Sequence, residues 1–114
     1  MNFIEALARD ILRAGRDDWV PLAAVDGYAR QLGAETDEQA RGIGMAAIRE
    51  LVTADLVELG DVTDGGFFPW DLPAEVALER IEGAWHGPDR NEWGFACWLR
   101  NTPHGDELAR GSRS

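Results

Sequence analysis

The sequence predicts a single α+β domain. Apolar residues recur at helical spacing through most of the first half, and a short run of β-favouring residues, 56–59, follows directly. A later segment, residues 94–109, alternates like a strand and then turns into a short helical tail. At 114 residues the chain is long enough to bury one core without disulfides. We expect one domain over residues 1–110, followed by a mobile tail at 111–114.

The charge balance argues against a nucleic-acid partner. The chain carries 21 acidic residues against 11 basic ones, all arginine, which gives a formal net charge of −10. Proteins bind DNA largely through cation contacts with its phosphates, and a domain of this sign repels DNA at long range. The composition therefore favours a basic protein partner over DNA.

The sequence also indicates the compartment. The first ten residues already contain Glu5 and Asp10 and lack the basic and apolar blocks of a signal peptide. No apolar run approaches the roughly 18 residues that cross a bilayer. Cys97 is the only cysteine, which excludes an internal disulfide and a multi-cysteine zinc site. We expect a cytoplasmic protein that does not bind membranes, present as a monomer or homodimer.

Three helices are predicted in the first half of the chain. Apolar positions at helical spacing place helix 1 over 2–14, and a very short strand at 19–20 separates it from helix 2. Helix 2 runs over 21–32, with a proline at its first position, where the missing N–H is harmless. Helix 3 runs over 37–54.

Helix 3 has a clear start and two unfavourable residues. Thr36 and Gln39 have the spacing of a capping box. Gly42 and Gly44 each cost about 1 kcal/mol relative to alanine inside a helix. Close packing against another backbone is our first explanation for the two glycines, and a bend or a late helix start near Gly44 is the alternative.

The second half predicts a strand pair interrupted by a long insertion. A turn is expected at 61–66 and a returning strand at 94–102, with about 30 residues between them. We refer to residues 63–94 as the inserted segment. Its apolar spacing predicts a helix over 75–85, and residues 86–92 read as a polar loop.

The ending WLRNTPHGDELA resembles the close of many bacterial winged-helix regulators, in which a wing strand leads into Thr-Pro-x-Gly and a helix. The matching positions are 98–100 for the strand and Thr102, Pro103 and Gly105 for the turn, with the last helix over 106–110. The stretch LVTADLVELGDV is similar to the helix-to-strand step of that fold. The resemblance implies a winged-helix-like domain of three N-terminal helices and a β-hairpin, whose long wing here carries an inserted helix. Size, acidity and aromatic content also resemble small uncharacterised bacterial proteins, including immunity proteins to toxins.

A DNA-binding transcription regulator, acting as a dimer, is the alternative function that the resemblance implies. Helix 3 would be the recognition helix, with Arg41, Arg49 and Arg30 at the phosphate backbone. However, helix 3 begins with Asp37 and Glu38, whereas base readout usually uses several donors at that position.

The inserted segment supports the first functional hypothesis, a non-enzymatic protein-binding module. Tryptophan is a favoured anchor in protein interfaces, and an acidic rim steers a basic partner. The alternative is that most of the aromatic rings in the inserted segment form a satellite core beneath the inserted helix. The residues we predict to contact a partner are Asp64, Phe67, Phe68, Trp70, Asp71, Trp85 and Trp93.

Catalysis and cofactor binding find no support. Cys97 falls within a strand pattern, which favours a buried and inert thiol over a nucleophile. No spacing singles out His86 or His104 as metal ligands. The glycines of 42–44 lie in a helical pattern without the lysine of a phosphate-binding loop. We expect no enzyme activity, no metal and no cofactor.

Overall fold

The computed structural model describes residues 2–111, which contain six helices and four strands. The predicted α+β class is confirmed. The predicted tail covers residues 111–114. Gly111 is the last residue of α6, and residues 112–114 lie outside the described part of the chain. The elements are α1 Phe3–Gly15, β1 Val20–Pro21, α2 Leu22–Gln31, α3 Asp37–Thr53, β2 Val57–Thr63, β3 Gly66–Pro69, α4 Ala74–Ala84, α5 Arg90–Trp93, β4 Trp98–Asn101 and α6 Pro103–Gly111.

The four strands form one antiparallel sheet in the order β1-β4-β2-β3. β4 lies between β1 and β2, so Leu99 stands opposite Val20 on one side and Leu59 on the other. β2 also forms a tight hairpin with β3. Gly66 adopts φ +117° at the start of β3, a backbone conformation that favours glycine. The sequence predicts a hairpin-like turn over 61–66 and no strand after it; instead β2 continues to Thr63, the turn is limited to residues 64–65, and β3 follows.

The Thr36 cap predicted for α3 is confirmed, and Asn2 caps α1 in the same way. The Asn2 side chain accepts a hydrogen bond from the Glu5 N–H at 2.8 Å. Thr36 accepts from the Gln39 N–H at 3.0 Å, and the Gln39 side chain accepts in return from the Glu35 N–H at 2.7 Å. These bonds satisfy N–H groups that have no partner within the helix.

The returning strand is shorter than predicted, because residues 94–97 have another role. The Gly94 and Cys97 carbonyls accept from the N–H groups of Ala23 and Leu22, at 2.9 and 3.2 Å. These bonds cap α2, whose N-cap residue Pro21 makes no side-chain cap bond. Within the predicted polar loop, residues 90–93 form the short helix α5.

The turn Thr102-Pro-x-Gly fastens α6 to the end of α3. The Thr102 hydroxyl donates to the Asp55 carbonyl at 2.7 Å and accepts from the Gly105 N–H at 3.0 Å. An added Cβ at Gly105 would lie 2.0 Å from the Leu56 carbonyl oxygen. The motif is therefore structural, because its threonine and its glycine are each required by a backbone contact.

The core lies between the helices and one face of the sheet, and the inserted segment adds to it. Val57, Leu59 and Leu99 of that face are buried, and α1 packs closely along α3. α4 packs against α3, where Trp85, 2% exposed, lies on Gly44. Close packing therefore explains Gly44, although a ring rather than a backbone makes the contact.

The two glycines of α3 give a matched prediction. A Cβ at Gly44 would lie 2.3 Å from the Trp85 ring, whereas a Cβ at Gly42 would meet nothing within 4 Å. Gly44→Ala should lower the free energy of unfolding by about 2 kcal/mol through overpacking. Gly42→Ala should raise it by roughly 0.5–1 kcal/mol through helix propensity alone. Urea unfolding of both variants measures the difference, and a Gly44→Ala protein more stable than wild type would contradict this packing.

Candidate protein-binding surface

The structure separates the seven predicted contact residues into two groups. Trp85 and Trp93 lie in the core beside α2, and the other five lie in the β2–β3 hairpin or just after it. Trp85 and Trp93 are 2% and 6% exposed, so neither ring is available to a partner in this conformation. Both rings belong to the main core and not to a separate satellite core beneath the inserted helix.

This part of the core contains one buried carboxylate, Asp26 of α2, which is 1% exposed. His86 Nε2 lies 2.9 Å from Asp26 Oδ1, and Trp85 Nε1 donates to the same oxygen at 3.4 Å. Arg30 Nε donates to Asp26 Oδ2 at 3.0 Å. Trp93 stacks on Trp85 with ring centroids 6.3 Å apart. Asp26 therefore ties α2 to the end of α4.

His86, which contacts Asp26, has an unusual backbone conformation. It follows α4 with φ +63°, the left-handed conformation in which glycine usually ends a helix. Its ring meets the Trp93 ring at 4.8 Å between centroids. Nδ1 is buried and has no hydrogen-bond partner among the described residues. The bond to Asp26 and the Trp93 contact therefore hold a histidine where a glycine would be conformationally easier.

The pKa of Asp26 is set by two opposing effects. Burial alone would raise the pKa, but hydrogen bonds from Arg30, His86 and Trp85 outweigh burial and hold the pKa below its ordinary value of 3.8. Sequence reasoning missed this residue. The signal was present, because Asp26 occupies the apolar face of α2, four residues after Leu22.

Trp70 is only partly buried, but it is anchored rather than free. The Arg80 guanidinium lies 4.2 Å from its ring centroid, in the geometry of a cation–π contact. The indole N–H is buried without a partner in the described part of the chain. The Trp70 backbone N–H donates to the Leu59 carbonyl at 2.9 Å. Trp70 therefore fixes the chain as it leaves the hairpin.

Phe67 is 9% exposed, on the sheet face opposite the helices. Its ring lies 5.9 Å from the Trp19 ring, and the Arg100 guanidinium covers it at 4.4 Å. Arg100 in turn donates to Glu58, its cross-strand neighbour, at 2.8 Å. Phe67 thus holds the hairpin to the sheet and is largely withdrawn from solvent.

Phe68 is the exposed aromatic residue of the predicted set. It is 51% exposed and stands opposite Asp61 across the hairpin. Its ring lies against the turn, because an added Cβ at Gly65 would be 3.1 Å from Phe68 Cζ. Asp61, Asp64 and Asp71 are all exposed, and none of them forms a salt bridge within residues 2–111. Asp71 follows β3, beyond the Gly60–Pro69 pair, and therefore lies towards the base of the hairpin. We define Asp61, Asp64 and Phe68 as the hairpin tip.

The arginines considered for DNA binding are largely engaged elsewhere. Arg30 bonds to Asp26 and Asp37, and Arg49 bonds to Glu75 of the inserted helix at 2.9 Å. Arg41 is partly exposed and forms no salt bridge within the described residues. The three guanidiniums therefore do not form an open cationic stripe.

The thiol considered for catalysis is inaccessible to solvent. Cys97 is buried just before β4, and burial raises its pKa to about 12, which leaves the thiol protonated at neutral pH. Within residues 2–111, no cluster of three or more His, Cys, Asp or Glu side chains could hold a metal ion. None of the described helices combines the length and the apolar character needed to cross a bilayer.

Comparisons with known proteins add no relative. No protein-family model matches the chain, and searches of curated sequences and of solved structures found no similar protein.

The Asp26 network predicts a pH-dependent contribution to stability. Asp26→Asn should lower the free energy of unfolding by about 2 kcal/mol at pH 7, because it removes a charged acceptor of buried hydrogen bonds. Since the pKa of Asp26 is depressed in the folded state, its contribution is present above pH 3.8 and is lost as the pH falls further.

Urea unfolding of both proteins at pH 7 and below pH 3.8 tests this, and the gap between them should narrow at low pH. Asp71→Asn, an exposed carboxylate without a salt bridge, is the control and should behave like wild type at both pH values. A gap that stays constant with pH would contradict the depressed pKa.

Proposed function

We propose that this protein is a non-enzymatic protein-binding module that engages a basic partner through the hairpin tip. The observation that carries the proposal is the half-exposed Phe68 ring, which is accompanied by the exposed carboxylates of Asp61 and Asp64, neither of which forms a salt bridge within residues 2–111. An immunity or regulatory protein acting in the cytoplasm is the role that we propose for such a module.

The chemistry of the hairpin tip matches this partner class. Protein interfaces are enriched in aromatic residues at their core and have a polar rim. Carboxylates at the rim increase the association rate of a basic partner and add specificity more than affinity. The net charge of −10 extends this steering over the whole molecule.

The hairpin tip also has a rigid support. Phe67 packs between Trp19 and Arg100 on one face of the sheet. On the other side of the hairpin, Trp70 is held by Arg80 and by its backbone bond to Leu59. A preformed tip loses little conformational entropy on binding, which favours its use as a recognition element.

We further propose that the framework is winged-helix-like. In support, three helices precede the antiparallel pair of β2 and β4, and β4 lies between β1 and β2. The inserted segment would then occupy the position of the wing. In that framework α3 would be the recognition helix, but α4 covers part of it, and Glu75 neutralises Arg49. We therefore place the DNA-binding regulator second.

The sharpest test is a pull-down from the native lysate with wild type and Phe68→Ala. Phe68 is half exposed, so its truncation should leave the fold intact and should weaken partner retention at least tenfold, as expected for a hot-spot residue. Phe3→Ala is the matched control, because Phe3 is 56% exposed but lies on α1, and its partner retention should equal that of wild type.

Two results would reject the proposal. The first is a partner retained equally by wild type and Phe68→Ala. The second is retention of nucleic acid alone, with a salt-sensitive affinity that Arg41→Ala abolishes, which would establish the DNA-binding alternative.

A further inference from the structure

The fold places two identical dipeptides in very different surroundings. The chain contains Asp-Gly twice, as Asp26-Gly27 within α2 and as Asp64-Gly65 in the turn between β2 and β3. An aspartate that precedes glycine is open to attack on its side-chain carboxyl by the next backbone nitrogen, because glycine has no Cβ to obstruct the approach and leaves the backbone free to rotate. Whether the attack occurs in the folded protein therefore depends on how each pair is held.

The pair in α2 is held away from this reaction. The Asp26 carboxylate is buried and is fixed by hydrogen bonds from Arg30, His86 and Trp85. Both Asp26 and Gly27 lie inside a helix, where the backbone dihedral angles are fixed and the N–H groups bond along the helix. The carboxyl of Asp26 could reach the Gly27 nitrogen only if the helix and these hydrogen bonds were broken.

The pair in the hairpin turn has no comparable protection. Asp64 and Gly65 are both exposed, and the Asp64 carboxylate forms no salt bridge within residues 2–111. The Gly65 N–H donates to Thr63 Oγ1 at 3.3 Å, which is longer than the roughly 2.9–3.0 Å that is usual. Exposed turns with few packing contacts open locally at little cost in free energy. The Asp64 side chain is therefore free to turn towards the Gly65 nitrogen.

We propose that Asp64 is a site of spontaneous isomerisation to isoaspartate in the folded protein, and that the fold protects Asp26 from the same reaction. The Gly65 nitrogen attacks Cγ of the Asp64 carboxyl, which has taken a proton from solvent. A bond forms between this nitrogen and Cγ, and the carboxyl hydroxyl leaves as water with the amide proton. Water then opens the cyclic imide at one of its two carbonyls, which gives either aspartate or isoaspartate. The overall change is an isomerisation that needs no co-reactant except water.

The product would change the geometry of the hairpin tip. In isoaspartate the main chain runs through the side-chain carbonyl, so one methylene enters the backbone between residues 64 and 65. The turn has only two residues, and its length sets the pairing of Thr63 with Gly66. The added backbone atom disturbs this pairing, and the carboxylate moves to a different position. This inference concerns the turn itself and does not depend on what the hairpin tip binds.

Peptide mapping of aged protein tests the proposal. The protein is incubated at neutral pH, folded or unfolded in guanidinium chloride, and digested with a protease that cuts before aspartate but not before isoaspartate. In the folded protein, cleavage before Asp64 should be lost about tenfold faster than cleavage before Asp26, which corresponds to an activation barrier lower by about 1.4 kcal/mol. In the unfolded protein the two rates should be similar, because the fold no longer distinguishes the dipeptides.

Asp64→Asn gives a second measurement on the same turn. An asparagine there undergoes the same attack but releases ammonia, a better leaving group than the water lost from a carboxyl at neutral pH. Isoaspartate should therefore form at position 64 faster than in wild type. Equal rates at Asp26 and Asp64 in the folded protein would overturn the proposal. So would a folded Asp64→Asn protein that forms no isoaspartate, because the turn would then prevent the attack.

Discussion

The inserted segment depends on the buried carboxylate of Asp26. A charge this far from solvent is tolerated only when it is paired and hydrogen-bonded, and Arg30, His86 and Trp85 meet that requirement together. Two of these partners belong to the inserted segment, so the carboxylate has all of its hydrogen bonds only when the end of α4 packs against α2. Once seated, the Trp85 ring meets the backbone of α3 at Gly44, and this contact fixes α4 along α3. The hydrogen bonds that Asp26 of α2 needs therefore fix the position of a helix about 60 residues later in the chain.

The helical first half was predictable from the sequence, because its signals are local. The caps of α1 and α3 and the apolar spacing of all three helices involve residues within one or two turns of each other, and their predicted bounds agree closely with the structure. The insertion was predicted as a helix, but β3, α5 and the true length of β4 were not. These features depend on distant partners. The carbonyls of 94–97 cap α2 rather than continue a strand, although the alternation of Phe95, Cys97 and Leu99 is typical of one.

The candidate surface was predictable only as a region. Composition identified the aromatic and acidic character of the inserted segment. Whether a given side chain is exposed depends on tertiary packing, which residue type alone does not determine. Tryptophan is a favoured interface anchor, yet the size of the indole ring also makes it an effective filler of a core, and Trp85 and Trp93 are buried in this way. Phe68 stays exposed because the hairpin extends β2 to Asp61, where the strand is no longer buried. Asp26 was missed for a related reason, since a carboxylate in an apolar stripe can be interpreted only when its partners are known.

Contacts within the chain that engage its arginines also contribute to the sign of the surface. The chain has about half as many arginines as carboxylates, and the fold uses several of these arginines internally. Arg30 serves Asp26 and Asp37, Arg49 serves Glu75, and Arg100 serves Glu58 while covering Phe67. Each such contact removes a cation that could meet a phosphate, and Arg80 is similarly occupied by Trp70. The carboxylates at the hairpin tip have no such partners in the described chain. The distribution of counterions therefore supports the proposed basic protein partner for the hairpin tip, because such a partner would supply the cationic groups that these carboxylates lack.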